Sequence, residues 1–166
     1  PHRPRYNSFG NLGDRVVQHS ICDQVLKPYF EPRLIYDNAA CREGKGTRFA
    51  TDRLTKFMRD FYKEHGTNGY ILKFDIRKFF DSINHQVLKQ KLHCFPDEEV
   101  QKLLSHIVDS YAKEPETEEP SQRGLPLGNQ TSQWFALWYL NGLDRLIKEK
   151  FGIKYYSRYM DDGILI

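Results

Sequence analysis

The sequence predicts an α+β fold in which helices come first, a strand follows, more helices come next and a β-hairpin ends the chain. Two segments within residues 14–65 carry apolar residues at helical spacing, and residues 70–76 alternate with a period of two. Two β-prone segments then lie at residues 153–160 and 163–166. A chain of 166 residues, 39% of them hydrophobic, suits one ordinary domain with a core that needs no disulfides.

The first third of the chain predicts two helices joined by a loop. Helical spacing places the first over residues 14–30, and Gly13 or Asp14 can cap its start. Residues 37–47 are small, glycine-containing and charged, which indicates a loop or a loose hairpin. A second helix is predicted over residues 47–65. Its apolar face carries Ala50, Leu54, Phe57, Met58 and Phe61.

The strand over residues 70–76 is expected to bury one face and to present Asp75 on the other. The face expected to be buried carries Tyr70, Leu72, Phe74 and Ile76. After the strand, Ser82 or Asn84 can cap a short helix, and Asp97, which follows a proline, opens another.

The last third of the chain predicts a loop, a helix and a hairpin. Residues 114–120 hold four Glu and two Pro, so they are expected to form a solvated loop. A long, mostly buried helix is predicted over residues 130–150. Asp161 and Asp162 are then expected to form the two-residue turn of the hairpin.

The charges of the chain are unevenly distributed. The formal net charge is only +3, but residues 1–56 hold ten Lys/Arg against six Asp/Glu, a balance of 10 − 6 = +4. Residues 97–119 hold two against eight, a balance of 2 − 8 = −6. A nucleic acid is therefore expected to meet the first segment and to avoid the second.

The cysteines and the hydropathy pattern predict a cytoplasmic protein. Cys22, Cys41 and Cys94 are odd in number and widely spaced, which favours neither a disulfide framework nor a zinc site. No apolar run approaches the roughly 18 to 20 residues that span a bilayer, so no membrane partner is expected. Because the chain begins at Pro1 and stops at Ile166 inside an apolar run, we expect it to be an excised piece of a longer polypeptide.

Three aspartates stand out as candidate metal ligands. Asp75 lies on a predicted strand, and Asp161 and Asp162 lie at a predicted hairpin tip. Carboxylates in such positions suit the binding of two divalent cations for phosphoryl or nucleotidyl transfer, and hard oxygen ligands favour Mg²⁺. The alternative is that Asp-Asp-Gly is turn chemistry and that Asp75 is an ordinary half-exposed strand residue.

Five motifs in one order resemble those of reverse transcriptases. YMDD at 159–162 resembles the catalytic box of the palm, and FDIRKFFD at 74–81 is similar to the strand that supplies the first metal-binding aspartate. GLPLGNQTSQ at 124–133 resembles the loop and helix between them. Residues 14–32 and ACREGKGT at 40–47 are similar to the first and second fingers motifs.

The resemblance implies the fingers and palm of a right-hand polymerase. It implies an antiparallel palm sheet that carries the metal carboxylates, with helices packed on one face. We expect a fingers region at about residues 1–69 and a palm region at about residues 70–166, with the thumb absent. Such a chain is expected to fold, to polymerise poorly alone, and to self-associate through its truncated edge strand.

The resemblance also implies the metal site. Asp75, Asp161 and Asp162 are the expected catalytic residues and metal ligands, and the backbone carbonyl of Ile76 is a further expected ligand. Two Mg²⁺ ions are the expected cofactors, and Mn²⁺ can substitute for them. The expected reaction is RNA-directed addition of dNTPs to a primer 3′-hydroxyl.

Four residues are expected to bind the nucleotide. Phe80, five positions after Asp75, matches the aromatic residue that excludes a ribose 2′-hydroxyl, although it can also be read as a core residue beside Phe79. Arg5 matches a triphosphate-binding position. Leu127 and Gln133 complete this set.

Four basic residues are expected to contact template or nucleotide phosphates: Arg15, Arg42, Lys45 and Arg48. The alternative for each is an ordinary solvated charge. The expected partners are an RNA template, a DNA or RNA primer and a dNTP, with room for an accessory protein subunit.

The motif at residues 128–133 resembles one prokaryotic branch most. It ends in Ser132-Gln133, the form similar to diversity-generating retroelements and some phage-defence relatives, whereas group II intron enzymes usually end it in Ser-Pro. Leu127 stands where many accurate enzymes place a Gln, so relaxed fidelity is expected. Retron and group II intron relatives, a maturase or defence scaffold that binds nucleic acid, and an RNA-templated RNA polymerase remain as alternatives. A bulky Phe80 disfavours the RNA-templated RNA polymerase, because it would reject ribonucleotides.

Overall fold

The structure is a computed structural model that describes residues 12–111 and 122–166. The predicted acidic loop at residues 114–120 lies outside the described residues. None of the helices within the described ranges is long and apolar enough to cross a membrane.

The elements follow the predicted order of helices, strand, helices and hairpin. The helices are α1 (Leu12–Ile21), α2 (Lys27–Phe30), α3 (Thr47–His65), α4 (Phe79–Ser82), α5 (His85–Leu92), α6 (Glu98–Asp109), α7 (Gln130–Tyr139) and α8 (Asn141–Arg145). π-helical turns occupy Cys22–Leu26 and Leu146–Lys150, and a 3₁₀ turn occupies Glu31–Arg33. The strands are β1 (Leu72–Phe74), β2 (Tyr156–Tyr159) and β3 (Asp162–Leu165).

The chain divides into two units. The described residues of Pro1–Phe30 and Lys78–Tyr139 form the first, which is helical. Those of Glu31–Arg77 and Leu140–Ile166 form the second, which holds the sheet and α3. The expected boundary between fingers and palm near residue 69 stays a prediction.

Two predicted helix caps are confirmed in the first unit. The Asn84 side chain accepts a hydrogen bond from the backbone N–H of Val87 at 3.0 Å, at the start of α5. The Asp97 carboxylate accepts from Glu99 at 2.8 Å and from Val100 at 3.2 Å, at the start of α6. Both caps satisfy backbone donors that have no partner within their own helix.

Two of the predicted helices contain an irregular turn. The helix predicted over residues 14–30 continues through a π-helical turn at Cys22–Leu26, because Ile21 and Lys27 on either side keep right-handed helical dihedrals. The helix predicted over residues 130–150 is divided at Leu140. Leu140 has φ −91° and ψ 0°, which departs from helical geometry. Asn141 and Gly142 then follow, and both are weak helix formers. The apolar pattern did not reveal the break because it continues on both sides.

Aromatic rings fill the core of the first unit. The Phe30 ring stacks on Trp138 with centroids 4.4 Å apart, and Phe95 meets Phe30 edge-on at 5.3 Å. The indole N–H of Trp138 donates to the Lys91 carbonyl at 3.0 Å. This cluster joins α2, α5 and α7.

The second unit is built on an antiparallel sheet in the order β1-β3-β2. The expectation that the final strand forms an exposed edge is wrong, because β3 is paired on both sides. In its centre Gly163 lies opposite Phe74 on one side and opposite Arg158 on the other. Helix α3 packs against β2, and the Phe57 ring lies 5.5 Å from that of Tyr155. The predicted antiparallel sheet with helices beside it is confirmed.

The expected burial of one face of the strand over residues 70–76 is wrong. The paired strand is only Leu72–Phe74, Tyr70 is 94% exposed and Leu72 is 61% exposed. Phe74 alone among the paired residues is half-buried. Alternation determines which residues share a face, but burial depends on what covers that face, and α3 packs against β2 at the opposite edge of the sheet.

Candidate active site

The hairpin turn lies one residue earlier than predicted. Tyr159 pairs with Asp162, so the two turn residues are Met160 and Asp161, and Asp162 is the first residue of β3. Met160 has φ +53°, a conformation that residues other than glycine rarely adopt. The Asp-Asp-Gly sequence is compatible with either turn position, and the cross-strand register decides between them.

The three candidate catalytic aspartates lie at one end of this sheet. Phe74 is paired with Gly163, so Asp75 follows β1 at the end where Asp162 begins β3 and where Asp161 occupies the turn. Asp75 and Asp162 are exposed, and Asp161 is half-buried. Ile76, the expected carbonyl ligand, is half-buried.

The carboxylates are not gathered around one point. The Asp162 Oδ1 lies 3.6 Å from the Lys73 Nζ, across β1 and β3. Within the described ranges, no three His, Cys, Asp or Glu side chains are grouped closely enough to hold a metal ion. The carboxylate oxygens of Asp75, Asp161 and Asp162 are nevertheless the kind of ligand that Mg²⁺ prefers. The sequence also predicts that the fold brings the Asp75 and Asp161 carboxylates within about 3.5 to 5 Å of each other, since paired catalytic metals lie roughly 4 Å apart, and this stays a prediction.

A buried ion pair supports the turn, and neither of its members was singled out from the sequence. Arg158 Nε and Nη2 donate to the two carboxylate oxygens of Asp144, each at 2.7 Å. Arg158 Nη1 also donates to the Met160 carbonyl at 2.5 Å. A signal was present. Arg158 lies two positions after Tyr156, on the same face of a predicted strand, and Asp144 lies within the apolar pattern of a predicted helix. Charged residues at such buried positions are usually paired.

In the first unit, a short loop is held against the chain after β1. The backbone N–H of Leu125 donates to the Phe80 carbonyl at 2.8 Å, and that of Gly124 donates to the Ile83 carbonyl at 2.9 Å. His85 Nε2 lies 2.7 Å from the Gly124 carbonyl oxygen. Gly124 has φ +98°, which explains the glycine at this position.

Phe80 and Phe79 differ in burial although they are neighbours. Phe79 is 3% exposed and belongs to the core, whereas Phe80 is half-buried and meets the Phe79 ring edge-on at 5.7 Å. Of the other expected nucleotide-binding residues, Leu127 is exposed in a turn and Gln133 is half-buried on α7. Arg5 lies outside the described residues.

The expected nucleic-acid-binding residues fall into two groups. Arg15 on α1 and Arg48 in the first turn of α3 are exposed. The Arg42 side chain is only 8% exposed, and its guanidinium donates to the carbonyls of Ile35 at 2.8 Å and Asn38 at 3.1 Å. These contacts favour an internal role for Arg42, in shaping the loop at residues 34–46.

Lys45 is packed among aromatic rings. Its Nζ lies 4.3 Å from the Tyr36 ring centroid and 4.7 Å from that of Phe49, and it donates a hydrogen bond to the Tyr36 carbonyl. Burial, and next the Arg42 charge, lower the pKa of Lys45 to about 8. Lys45 is thus the expected nucleic-acid contact whose charge changes near neutral pH.

Two solved structures are similar to the chain in fold. A telomerase from Candida albicans, in complex with the TWJ fragment of telomeric RNA, gives a TM-score of 0.52 at 12% identity, over 91% of this chain and 29% of that one. An apo telomerase from Candida tropicalis, truncated from its C-terminal domain, gives 0.52 at 16% identity, over 96% and 34%. The fold is therefore that of right-hand polymerases, and the chain spans about a third of these relatives.

The model of one family matches residues 3–166, nearly the whole chain: reverse transcriptase (RNA-dependent DNA polymerase). The chain belongs to this family. A search of curated proteins gives no significant match.

Proposed function

We propose that this chain supplies the catalytic centre of an RNA-directed DNA polymerase that adds dNTPs to a primer 3′-hydroxyl. The observation that carries the proposal is the position of Asp75, Asp161 and Asp162 at one end of the antiparallel sheet, in a member of the reverse transcriptase family. Membership of the reverse transcriptase family indicates the reaction class, and the three aspartates are the residues that would bind the metal ions.

Asp75, Asp161 and Asp162, with the Ile76 carbonyl, would hold two Mg²⁺ ions. The ions would lower the pKa of the attacking hydroxyl and neutralise charge on the leaving oxygen. The chain contributes oxygen ligands carried on a short strand and on a two-residue turn, which vary little in position compared with long loops.

Phe80 would select deoxynucleotides by excluding the ribose 2′-hydroxyl. Its half-buried position supports this role, because the neighbouring Phe79 already fills the core. Leu127 and Gln133 would line the nucleotide site, together with Arg5. An exposed Leu127 offers no hydrogen bond to a base or sugar, which supports relaxed fidelity.

An RNA template is the partner that the comparisons favour, since the telomerase from Candida albicans was solved with a telomeric RNA fragment. Arg15 and Arg48, both exposed, would contact phosphates, and Lys45 would do so while protonated. Ser132-Gln133 and Leu127 support a bacterial, diversity-generating retroelement as the source, with a maturase-type or phage-defence protein as the alternative.

The test is primer extension on an RNA template with Mg²⁺, using the full-length polypeptide that contains these residues. Asp161→Asn should lower incorporation by at least about 100-fold, since a metal ligand is lost. Asp52→Asn is the matched control, because Asp52 is an exposed aspartate on α3. Equal rates for the wild type and Asp161→Asn would refute the proposal.

A further inference from the structure

The ion pair between Arg158 and Asp144 is fully buried, with both side chains 0% exposed. A charge in such a place is costly unless its partner and its hydrogen bonds are complete. Asp144 has further donors: the Tyr156 hydroxyl at 2.8 Å and the Asn38 amide at 3.4 Å. Burial, and next the Asp144 charge, raise the pKa of Tyr156 well above its usual value, so this hydroxyl remains a donor.

The backbone of Arg158 is held as firmly as its side chain. Its N–H donates to the Asp37 carbonyl at 3.1 Å, and its carbonyl accepts from the Ala39 N–H at 2.9 Å. On the other edge of β2, Arg158 is paired with Gly163 of β3. The guanidinium therefore has little freedom of its own, and its position is transmitted to the groups that it contacts.

One guanidinium nitrogen of Arg158, Nη1, contacts the hairpin turn. Arg158 Nη1 donates to the carbonyl of Met160, the residue with φ +53° that directly precedes Asp161. A non-glycine residue in this conformation is strained and persists where its surroundings hold it. This hydrogen bond, from a charged donor, is one of the stronger kinds available.

We infer that Arg158 is a positioning residue for Asp161. The buried pair with Asp144 holds the guanidinium, the guanidinium holds the Met160 carbonyl, and the carbonyl sets the peptide plane from which Asp161 extends. The catalytic part of this inference rests on the proposed function. The structural part, control of the turn by Arg158, stands independently of it.

The experiment removes both charges together, so that neither is left uncompensated in the core. Asp144→Asn/Arg158→Leu leaves no charge at either position and adds no methionine to the chain, and the Asn retains an acceptor for the Tyr156 hydroxyl. Removing a buried pair as a unit is often nearly neutral for stability, so Tm should stay within about 5 °C of the wild type. Tyr156→Phe is the matched control, since it removes a donor to Asp144 but leaves the bond to Met160.

Methionine occurs only at positions 58 and 160, which gives a direct spectroscopic readout. In the 166-residue chain labelled with carbonyl-¹³C methionine and uniform ¹⁵N, a carbonyl-to-amide correlation spectrum contains one signal from each. The double variant should displace the Met160 signal and leave the Met58 signal in place. Tyr156→Phe should leave both in place.

Kinetics in the full-length polypeptide test the catalytic consequence. The double variant should lower kcat about 100-fold, because displacement by about 1 Å costs that much, with KM for dNTP changed less than about threefold. A folded double variant with the wild-type Met160 signal, or with the wild-type kcat, would overturn the inference.

One further variant and one further comparison test the inference when the double variant or the activity assay fails. If the double variant does not fold, Arg158→Lys retains the charge but lacks the fork that holds Asp144 and Met160 together, and it should still displace the Met160 signal. If the wild type and Asp161→Asn are equally inactive, the proposed function fails, and the Met160 signal alone decides whether Arg158 positions the turn.

Discussion

The ring of Phe74 covers Gly163 across β1 and β3: a Cβ added to Gly163 would lie 2.1 Å from the ring Cζ. Gly163 is not among the residues with positive φ, so the turn does not require this glycine. The glycine of the Asp-Asp-Gly sequence is explained by the ring packed on it. Aromatic cover of a strand glycine is a known device for setting register.

Gly163→Ala is therefore expected to displace the Phe74 ring, and with it the end of β1 that precedes Asp75. Overpacking of this kind costs about 1 to 3 kcal/mol of unfolding free energy. Urea denaturation measures the change, and dNTP incorporation should fall in parallel. Gly163→Ala/Phe74→Leu makes room for the methyl group and should recover most of the stability. A single variant as stable as the wild type would contradict this reading of the pair.

Phe80→Ala is expected to admit ribonucleotides while dNTP use stays largely intact, because the change removes bulk and no charge. Primer extension with dNTP and rNTP side by side measures the preference. The matched control is Phe79→Ala, in the neighbouring core residue, which should instead cost about 3 to 5 kcal/mol of stability without altering sugar selection. An unchanged sugar preference in Phe80→Ala would assign Phe80 to the core.

Lys73→Met is expected to lower the Mg²⁺ concentration that gives half-maximal incorporation. Lys73 competes with a cation for the Asp162 carboxylate, and both side chains are exposed, so the effect should be only about two- to threefold. A Mg²⁺ titration of initial rates measures it. Lys102→Met removes the cation of a comparable exposed pair with Glu99 and should change nothing. A higher Mg²⁺ requirement in Lys73→Met would show that Lys73 assists binding of the ion.

Lys45 should make stability depend on pH in an alkaline window. Its pKa is lowered from 10.5 to about 8 in the folded chain, so between these values the unfolded chain binds more protons. The contribution of Lys45 to the unfolding free energy therefore rises with pH through this window. Denaturation at pH 7.5 and pH 10 should show the wild type gaining stability relative to Lys45→Met. Lys56→Met, at an exposed site on α3, should show no such relative change. If the wild type instead lost stability relative to Lys45→Met between pH 7.5 and pH 10, the lowered pKa of Lys45 would be refuted.

Local chemistry made several elements predictable from the sequence. Asn84 and Asp97 cap helices through their own side chains, and the helix Thr47–His65 ends before a glycine. The order of elements follows from the same local patterns, because propensity, periodicity and turn residues act over a few positions. Asp75, Asp161 and Asp162 were selected by a different route, since their motifs resemble those of reverse transcriptases.

Only the tertiary structure decided which of these patterns are buried and which groups meet. The exposed Leu72, the turn at Met160 and Asp161 and the break at Leu140 depend on what packs or pairs with each segment. The pair of Arg158 with Asp144 joins residues 14 positions apart in different elements, inside a core that excludes water. A charge is stable there because its partner is fixed by the fold, and no local pattern names that partner.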